Sequence, residues 1–132
     1  AALAQAPPFR ELPTLLLDVP CSGTGTLRRH PDARWRLTLD TLSRLVGLQE
    51  ELLAVGSKLV PKGGLLVYST CSLEPEENRE QVDAFLSKNP EFSIQDTGTV
   101  AQEYRDGQGC LVVVPQAAGF DGAFAARLVR GS

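Results

Sequence analysis

The residues with the means to do chemistry are two cysteines and one aspartate, each at the end of an apolar run. Asp18 closes Leu15-Leu16-Leu17, and Cys21 follows three residues later, after Val19-Pro20. Cys71 follows Leu65-Leu66-Val67-Tyr68-Ser69-Thr70. A deprotonated thiol is a strong nucleophile, and a helix N-terminus close by lowers its pKa. The plain alternative is that Cys21 and Cys71 are small buried hydrophobes, the usual fate of free cysteine. Their placement just past strand ends weighs against that, with Ser22-Gly23-Thr24-Gly25 beside one and a helix start after the other. Asp18 has its own plain alternative, a cap for the loop that follows. The third thiol, Cys110, sits inside an apolar run and is assigned to the core. No Cys-x-x-Cys or Cys/His spacing supports a zinc site, so no metal is expected.

Something must bring thiols fifty positions apart to one place. Leu15-Leu16-Leu17 is a short apolar run without alternation, ended by Asp18 and Pro20, and reads as a buried parallel strand over residues 14–19. A helix is predicted from about Thr38 to Leu59, with Leu42, Leu45, Val46, Leu52, Leu53, Leu59 and Val60 on one face. Pro61-Lys62-Gly63-Gly64 stops it. Leu65 to Thr70 is the second strand, and Pro75 begins a second helix whose positive end suits Glu74, Glu76 and Glu77. Short strands are expected at Phe92–Ile94, Cys110–Val114 and Ala123–Val129. Strand-helix-strand order implies parallel pairing by a right-handed crossover, and the later strands imply an antiparallel hairpin at the sheet edge. In open α/β sheets ligands sit beyond the carboxyl ends of the strands, where Asp18, Cys21 and Cys71 all lie.

The bulk properties set bounds. One domain with a modest core fits 132 residues, and 42% apolar with 22% charged residues is an ordinary globular composition. No apolar stretch is long enough to span a bilayer and no secretory signal is visible, so the cytoplasm is the expected location. The start Ala1-Ala2-Leu3 and the lack of methionine read as an incomplete chain, with residues 1–13 as a linker or a remnant of a preceding segment. A net charge of −3 argues against a self-sufficient nucleic-acid binder. Arg28, Arg29, His30, Arg34 and Arg36 nonetheless form a local basic stretch, either a phosphate contact or a solvated loop. Trp35 reads as an anchor for that loop.

The segment Asp18-Val19-Pro20-Cys21-Ser22-Gly23-Thr24-Gly25-Thr26, with Arg29-His30-Pro31-Asp32 and Trp35 after it, resembles the Pro-Cys signature of the Sun/Fmu (RsmB-like) RNA 5-methylcytosine methyltransferases. Tyr68-Ser69-Thr70-Cys71-Ser72-Leu73-Glu74-Pro75-Glu76-Glu77-Asn78 resembles that family's Thr-Cys signature. Pro115-Gln116, Gly119, Asp121-Gly122, Phe124 and Ala126-Arg127-Leu128 are similar to its closing strands. The likeness runs over nearly all of residues 13–130. It implies a partial Rossmann-like α/β methyltransferase fold, residues 14–130 being the C-terminal half of the catalytic domain.

The resemblance also implies a chemistry. Carbon 5 of cytosine is a poor nucleophile until a thiolate adds to carbon 6 and makes it enamine-like. By resemblance Cys71 is that thiolate, and Cys21 assists removal of the carbon-5 proton and release of the product. Asp18 is expected to hydrogen-bond the base and to approach the donor, S-adenosyl-L-methionine. Arg29, His30 and Arg34 are expected to touch RNA, with 16S ribosomal RNA as the expected substrate. Ser22, Gly23 and Gly25 are expected to shape the loop. Val19 stands where alanine is common, Ala123-Phe124 where two aromatics usually occur, and Phe120 where a small polar residue is usual.

The family's Gly-rich donor loop, its acidic ribose-binding residue, its upstream catalytic lysine and its N-terminal RNA-binding region have no counterpart before residue 13. The chain alone is therefore expected to be inactive and to bind the donor weakly or not at all. It should also be marginally stable, or else self-associate through the strand at 14–19, unless the missing N-terminal half is supplied. Two other readings stay open: a non-catalytic interaction module, and a thiol redox protein, which would need the two sulfurs close to disulfide distance.

Overall fold

A computed structural model describes residues 13–26, 38–96, 102–114 and 121–131. The first apolar run forms β1 (Thr14–Asp18), and a single 3-10 turn follows at Thr24–Thr26. Helix α1 spans Leu39–Leu59. It is capped by Thr38, whose hydroxyl accepts the Thr41 amide at 3.1 Å, satisfying one of the open N–H groups of the first turn. Strand β2 is Leu65–Thr70, helix α2 Arg79–Lys88, and the short strands β3 and β4 are Phe92–Ile94 and Leu111–Val113. The last strand, β5, is Ala123–Arg130.

The sheet order is β1-β2-β5-β3, with β4 also on β5. β1 and β2 are parallel, in a register that sets Asp18 beside Ser69. β5 runs antiparallel to β2, β3 and β4. The expected closing hairpin is thus present, but its long strand lies inside the sheet instead of at the edge. β5 has eight residues, enough to pair along β2 on one side and with both β3 and β4 in succession on the other.

Alternation along the strands gives two unequal faces. Leu66, Tyr68, Phe124, Ala126 and Leu128 are buried on one face, with Leu15 and Leu17 packed against them. Both helices lie there, since Leu53 of α1 and Val82 and Phe85 of α2 join the same core. Gly56 permits the closest approach of α1: a β-carbon there would lie 2.9 Å from Leu17 and 3.3 Å from Leu15 and Leu66. Each fully buried Leu or Val contributes on the order of 1.5–3 kcal/mol. Cys110 joins this core at 1% exposure, as its apolar surroundings implied. On the opposite face Leu16, Val67 and Arg127 form a cross-strand row, and Leu16 is 62% exposed.

The helix expected at Pro75 begins at Arg79 instead. Residues 75–78 form a turn in which the Glu77 amide bonds the Glu74 carbonyl and the Asn78 amide bonds that of Pro75. The Asn78 side chain is committed elsewhere: it accepts from Thr70 Oγ1 at 2.6 Å and donates to the Ser72 carbonyl at 2.8 Å. Those bonds favour a folded-back turn over a helical start.

Candidate active site

The parallel pairing of β1 and β2 brings their C-terminal ends side by side, and the loops leaving them meet. Cys21 Sγ and Cys71 Sγ are 3.3 Å apart. Both are free thiols, Cys71 exposed and Cys21 half-buried. Burial, and then the hydrogen bond with Cys71, push the Cys21 thiol from an ordinary 9.0 up to about 12. Cys21 therefore keeps its proton at neutral pH, and in the S–H···S contact either sulfur can be the donor. The exposed sulfur of Cys71 is left free on its outer side.

Backbone bonds lock the two loops together. The Gly25 amide donates to the Cys71 carbonyl at 2.8 Å, and the Gly122 amide to the Gly25 carbonyl at 2.7 Å. The Leu73 amide donates to Thr24 Oγ1 at 2.8 Å. A β-carbon on Gly25 would lie 2.5 Å from the Cys71 carbonyl oxygen and 2.6 Å from that of Gly122, so only glycine fits. The expectation that Gly25 shapes the loop thus has a specific contact behind it.

Behind the thiols lies a buried polar cluster centred on Glu77, which is 0% exposed. Its Oε1 accepts the Ser22 amide at 2.8 Å and Gln49 Nε2 at 3.2 Å. Its Oε2 accepts the Ser22 hydroxyl at 2.7 Å and also the Ser72 hydroxyl. Gln49 Nε2 further donates to the Pro20 carbonyl at 2.8 Å, and Tyr68 Oη to the Glu77 carbonyl at 2.6 Å. Burial, and secondly the Glu77 charge, push the Tyr68 phenol upward, so it stays a donor. Among the described residues no buried side-chain polar atom lacks a partner.

Asp18 lies at the same end of the sheet, exposed, and its Oδ1 accepts the Ser69 hydroxyl at 3.1 Å. Arg29, His30 and Arg34, with Arg28, Arg36 and Trp35, fall outside the described residues. The activation expected for Cys71 from a nearby helix end loses its basis, because α2 starts eight positions after Cys71. Sequence reasoning missed Glu77, Gln49, Ser72 and Thr24 as site residues. Two signals pointed to them: a Cys-Ser pair at each strand end, and a glutamine within the apolar stripe of α1.

Comparisons with known proteins bear on this geometry. A family model described as 16S rRNA methyltransferase RsmB/F matches residues 6–129. Ribosomal RNA small subunit methyltransferase B of Salmonella newport is 46% identical over 117 residues, covering 88% of this chain and 26% of that protein. The protein of the same name from Yersinia pseudotuberculosis is 40% identical over 116 residues, with the same coverage of 88% and 26%. The chain therefore spans about a quarter of the length of these relatives. Among solved structures, that of PH0851 superposes with a TM-score of 0.82 at 36% identity, covering 89% of this chain and 26% of that one. NSun6 from Pyrococcus horikoshii, solved with SFG, gives 0.76 at 26% identity, covering 89% and 29%. The mixed sheet with two helices on one face is accordingly part of a Rossmann-like methyltransferase fold.

Proposed function

The chain belongs to the 16S rRNA methyltransferase RsmB/F family, and from that premise we propose that residues 14–130 are the C-terminal, cytosine-attacking half of an RNA cytosine-C5 methyltransferase domain. The observation that supports this most directly is the 3.3 Å separation of Cys21 and Cys71 at the carboxyl ends of two parallel strands. A single flipped pyrimidine fits over such a pair, with one sulfur exposed to attack it.

In this reading the Cys71 thiolate adds to carbon 6 of cytosine, forming a carbon–sulfur bond and moving electron density to carbon 5. S-adenosyl-L-methionine, when bound, supplies an electrophilic methyl group for carbon 5. The carbon-5 proton is then taken up by the Cys21 sulfur as the bond to Cys71 breaks and the ring regains its aromaticity. Cys21, held protonated, donates its S–H to the departing Cys71 sulfur and favours release. Having passed its S–H proton to the Cys71 sulfur, Cys21 is the thiolate that accepts the carbon-5 proton, so one residue assists both proton removal and release. Asp18 is the described residue that fits both base and donor, because its exposed carboxylate stands at the strand end where such sheets bind ligands. The Ser69 hydroxyl orients it. Gly25, in the loop that follows β1, is taken up in joining the two thiol loops, so most of the donor site is assigned to chain outside the described residues. Arg29, His30 and Arg34 are proposed phosphate contacts, on charge alone. The substrate proposed is 16S ribosomal RNA, after the names of the relatives.

The test uses the polypeptide expressed from its full reading frame, with RNA carrying 5-azacytidine. Nitrogen in place of carbon 5 carries no proton to lose, so the Cys71 adduct persists. The expected result is an RNA–protein band resistant to denaturation, lost in Cys71→Ala and retained in Cys21→Ala. A band that survives Cys71→Ala, or that never forms, would sink the proposal. Absence of any adduct would favour a non-catalytic interaction module instead. The short sulfur–sulfur contact also meets the geometric condition for thiol redox chemistry, and turnover of a thiol substrate without RNA would favour that.

A further inference from the structure

We infer that Glu77 is a positioning residue that sets the relation between the two thiols. This rests on the methyltransferase reading for its catalytic consequence, though not for its geometry. Each reactive cysteine is followed by a serine, and both serines are bound to one carboxylate. Ser22, next to Cys21, gives Glu77 its amide at 2.8 Å and its hydroxyl at 2.7 Å. Ser72, next to Cys71, gives its hydroxyl to the same Oε2. The two hydroxyls also touch each other at 3.2 Å. With both serines tied inward, the backbone turns both thiols out to the rim.

The remaining contacts complete the clamp. Gln49 Nε2 bridges Glu77 and the Pro20 carbonyl, so Cys21 is held through the residues on both of its sides. Gln49 is held in turn by Gln81, whose Nε2 donates to Gln49 Oε1 at 3.4 Å. The Glu77 backbone is fixed by the Tyr68 hydroxyl. Bonds to a carboxylate are shorter and roughly twice as strong as neutral ones, and each oxygen here receives two donors. A neutral amide in that place offers only one accepting oxygen. Its NH2 group donates where the carboxylate accepted, so the serine hydroxyls must reverse and lose their charge-assisted bonds, which loosens the hold on both cysteines.

The experiment uses the full-length protein and two readouts. One is the rate at which diamide, a two-electron oxidant that takes both thiol hydrogens, closes a Cys21–Cys71 disulfide, mapped by mass spectrometry. The other is the lifetime of the covalent adduct on Cys71 with ordinary cytosine RNA. Glu77→Gln, folded by circular dichroism, should slow disulfide closure at least tenfold and lengthen the adduct lifetime, as is expected for Cys21→Ala. Glu77→Asp, which keeps the charge with a shorter reach, should recover part of both. Should Glu77→Gln fail to fold, Ser22→Ala decides: a slowing of closure by threefold or more supports the clamp, and an unchanged rate overturns it. A folded Glu77→Gln with only a lowered melting temperature, and both rates within twofold of the parent, also overturns it. If the parent forms no RNA adduct, the methyltransferase reading fails while the diamide rates still judge the clamp.

Discussion

The rim that carries the thiols and the free side of β1 are close in space and opposite in character. Among the described residues no buried polar side-chain atom lacks a partner, and at the rim the two loops are tied by backbone bonds, hydroxyls and one buried carboxylate. Along β1, among the described residues, one edge pairs with β2 and the other pairs with nothing, and Leu16 stands 62% exposed on the open face. The contacts that pair the two thiols lie within the described residues, whereas the outer edge of β1 has no strand beside it among them. Thiol geometry is therefore set by contacts among these residues, while the outer face of β1 leaves Leu16 open.

The comparison breaks most readily at Gly25. A methyl group there meets two backbone carbonyl oxygens, which cannot swing aside as a side chain would. Gly25→Ala is expected to cost about 3 kcal/mol, at the upper end of overpacking penalties, and to separate the thiols. Gly47→Ala on the exposed side of α1, where a β-carbon meets nothing within 4 Å, is expected to stabilise by up to about 1 kcal/mol. Urea denaturation of both variants checks the pair. Equal midpoints would show that the loops are looser than their hydrogen bonds imply.

The edge makes a smaller and different prediction. If Leu16 faces open solvent in the chain alone, Leu16→Lys should change monomer stability by less than about 0.5 kcal/mol. It should also abolish the concentration-dependent association that an apolar edge strand promotes. Sedimentation at two concentrations tests this for residues 1–132. A monomeric parent, or a large destabilisation by Leu16→Lys, would mean that the face is already covered.

Why one region was easier to read than the other follows from the interactions involved. Strand and helix positions were legible because apolar periodicity is local, and the meeting of Cys21 with Cys71 followed from one strand-helix-strand unit. Glu77 was not legible. Beside Pro75 and Glu74 it matched a helix N-terminus, and local propensity cannot show that Asn78 folds back onto Thr70 and Ser72. Gln49 was passed over because the helical stripe is defined by its apolar members. The interior position of β5 depended on how many partners a long strand can hold, a tertiary property. Asp18 was correctly placed at the strand end, but its bond to Ser69 depends on register between strands.

The smallest expected effect sharpens the contrast from the side of protonation. Cys21 has a folded pKa of about 12, above its ordinary 9.0. A group whose pKa is raised by folding contributes stability that is fully present below its unfolded value. That contribution is lost as pH rises toward the folded one. For Cys21 the window lies between about 9 and 12. Cys110 is pushed up to about 11, by burial first and the Asp106 charge second, so it acts in the same direction. The parent should therefore lose stability between pH 8.5 and 10.5 in reducing buffer, and Cys21→Ala should lose less over the same range, because its share of the linkage is gone. Melting temperatures at the two pH values read this directly. Parallel slopes for parent and variant would mean that Cys21 is solvated enough to ionise freely. The thiol held back as a proton holder beside an exposed nucleophile would then have to be given up, leaving two equivalent thiols at the rim.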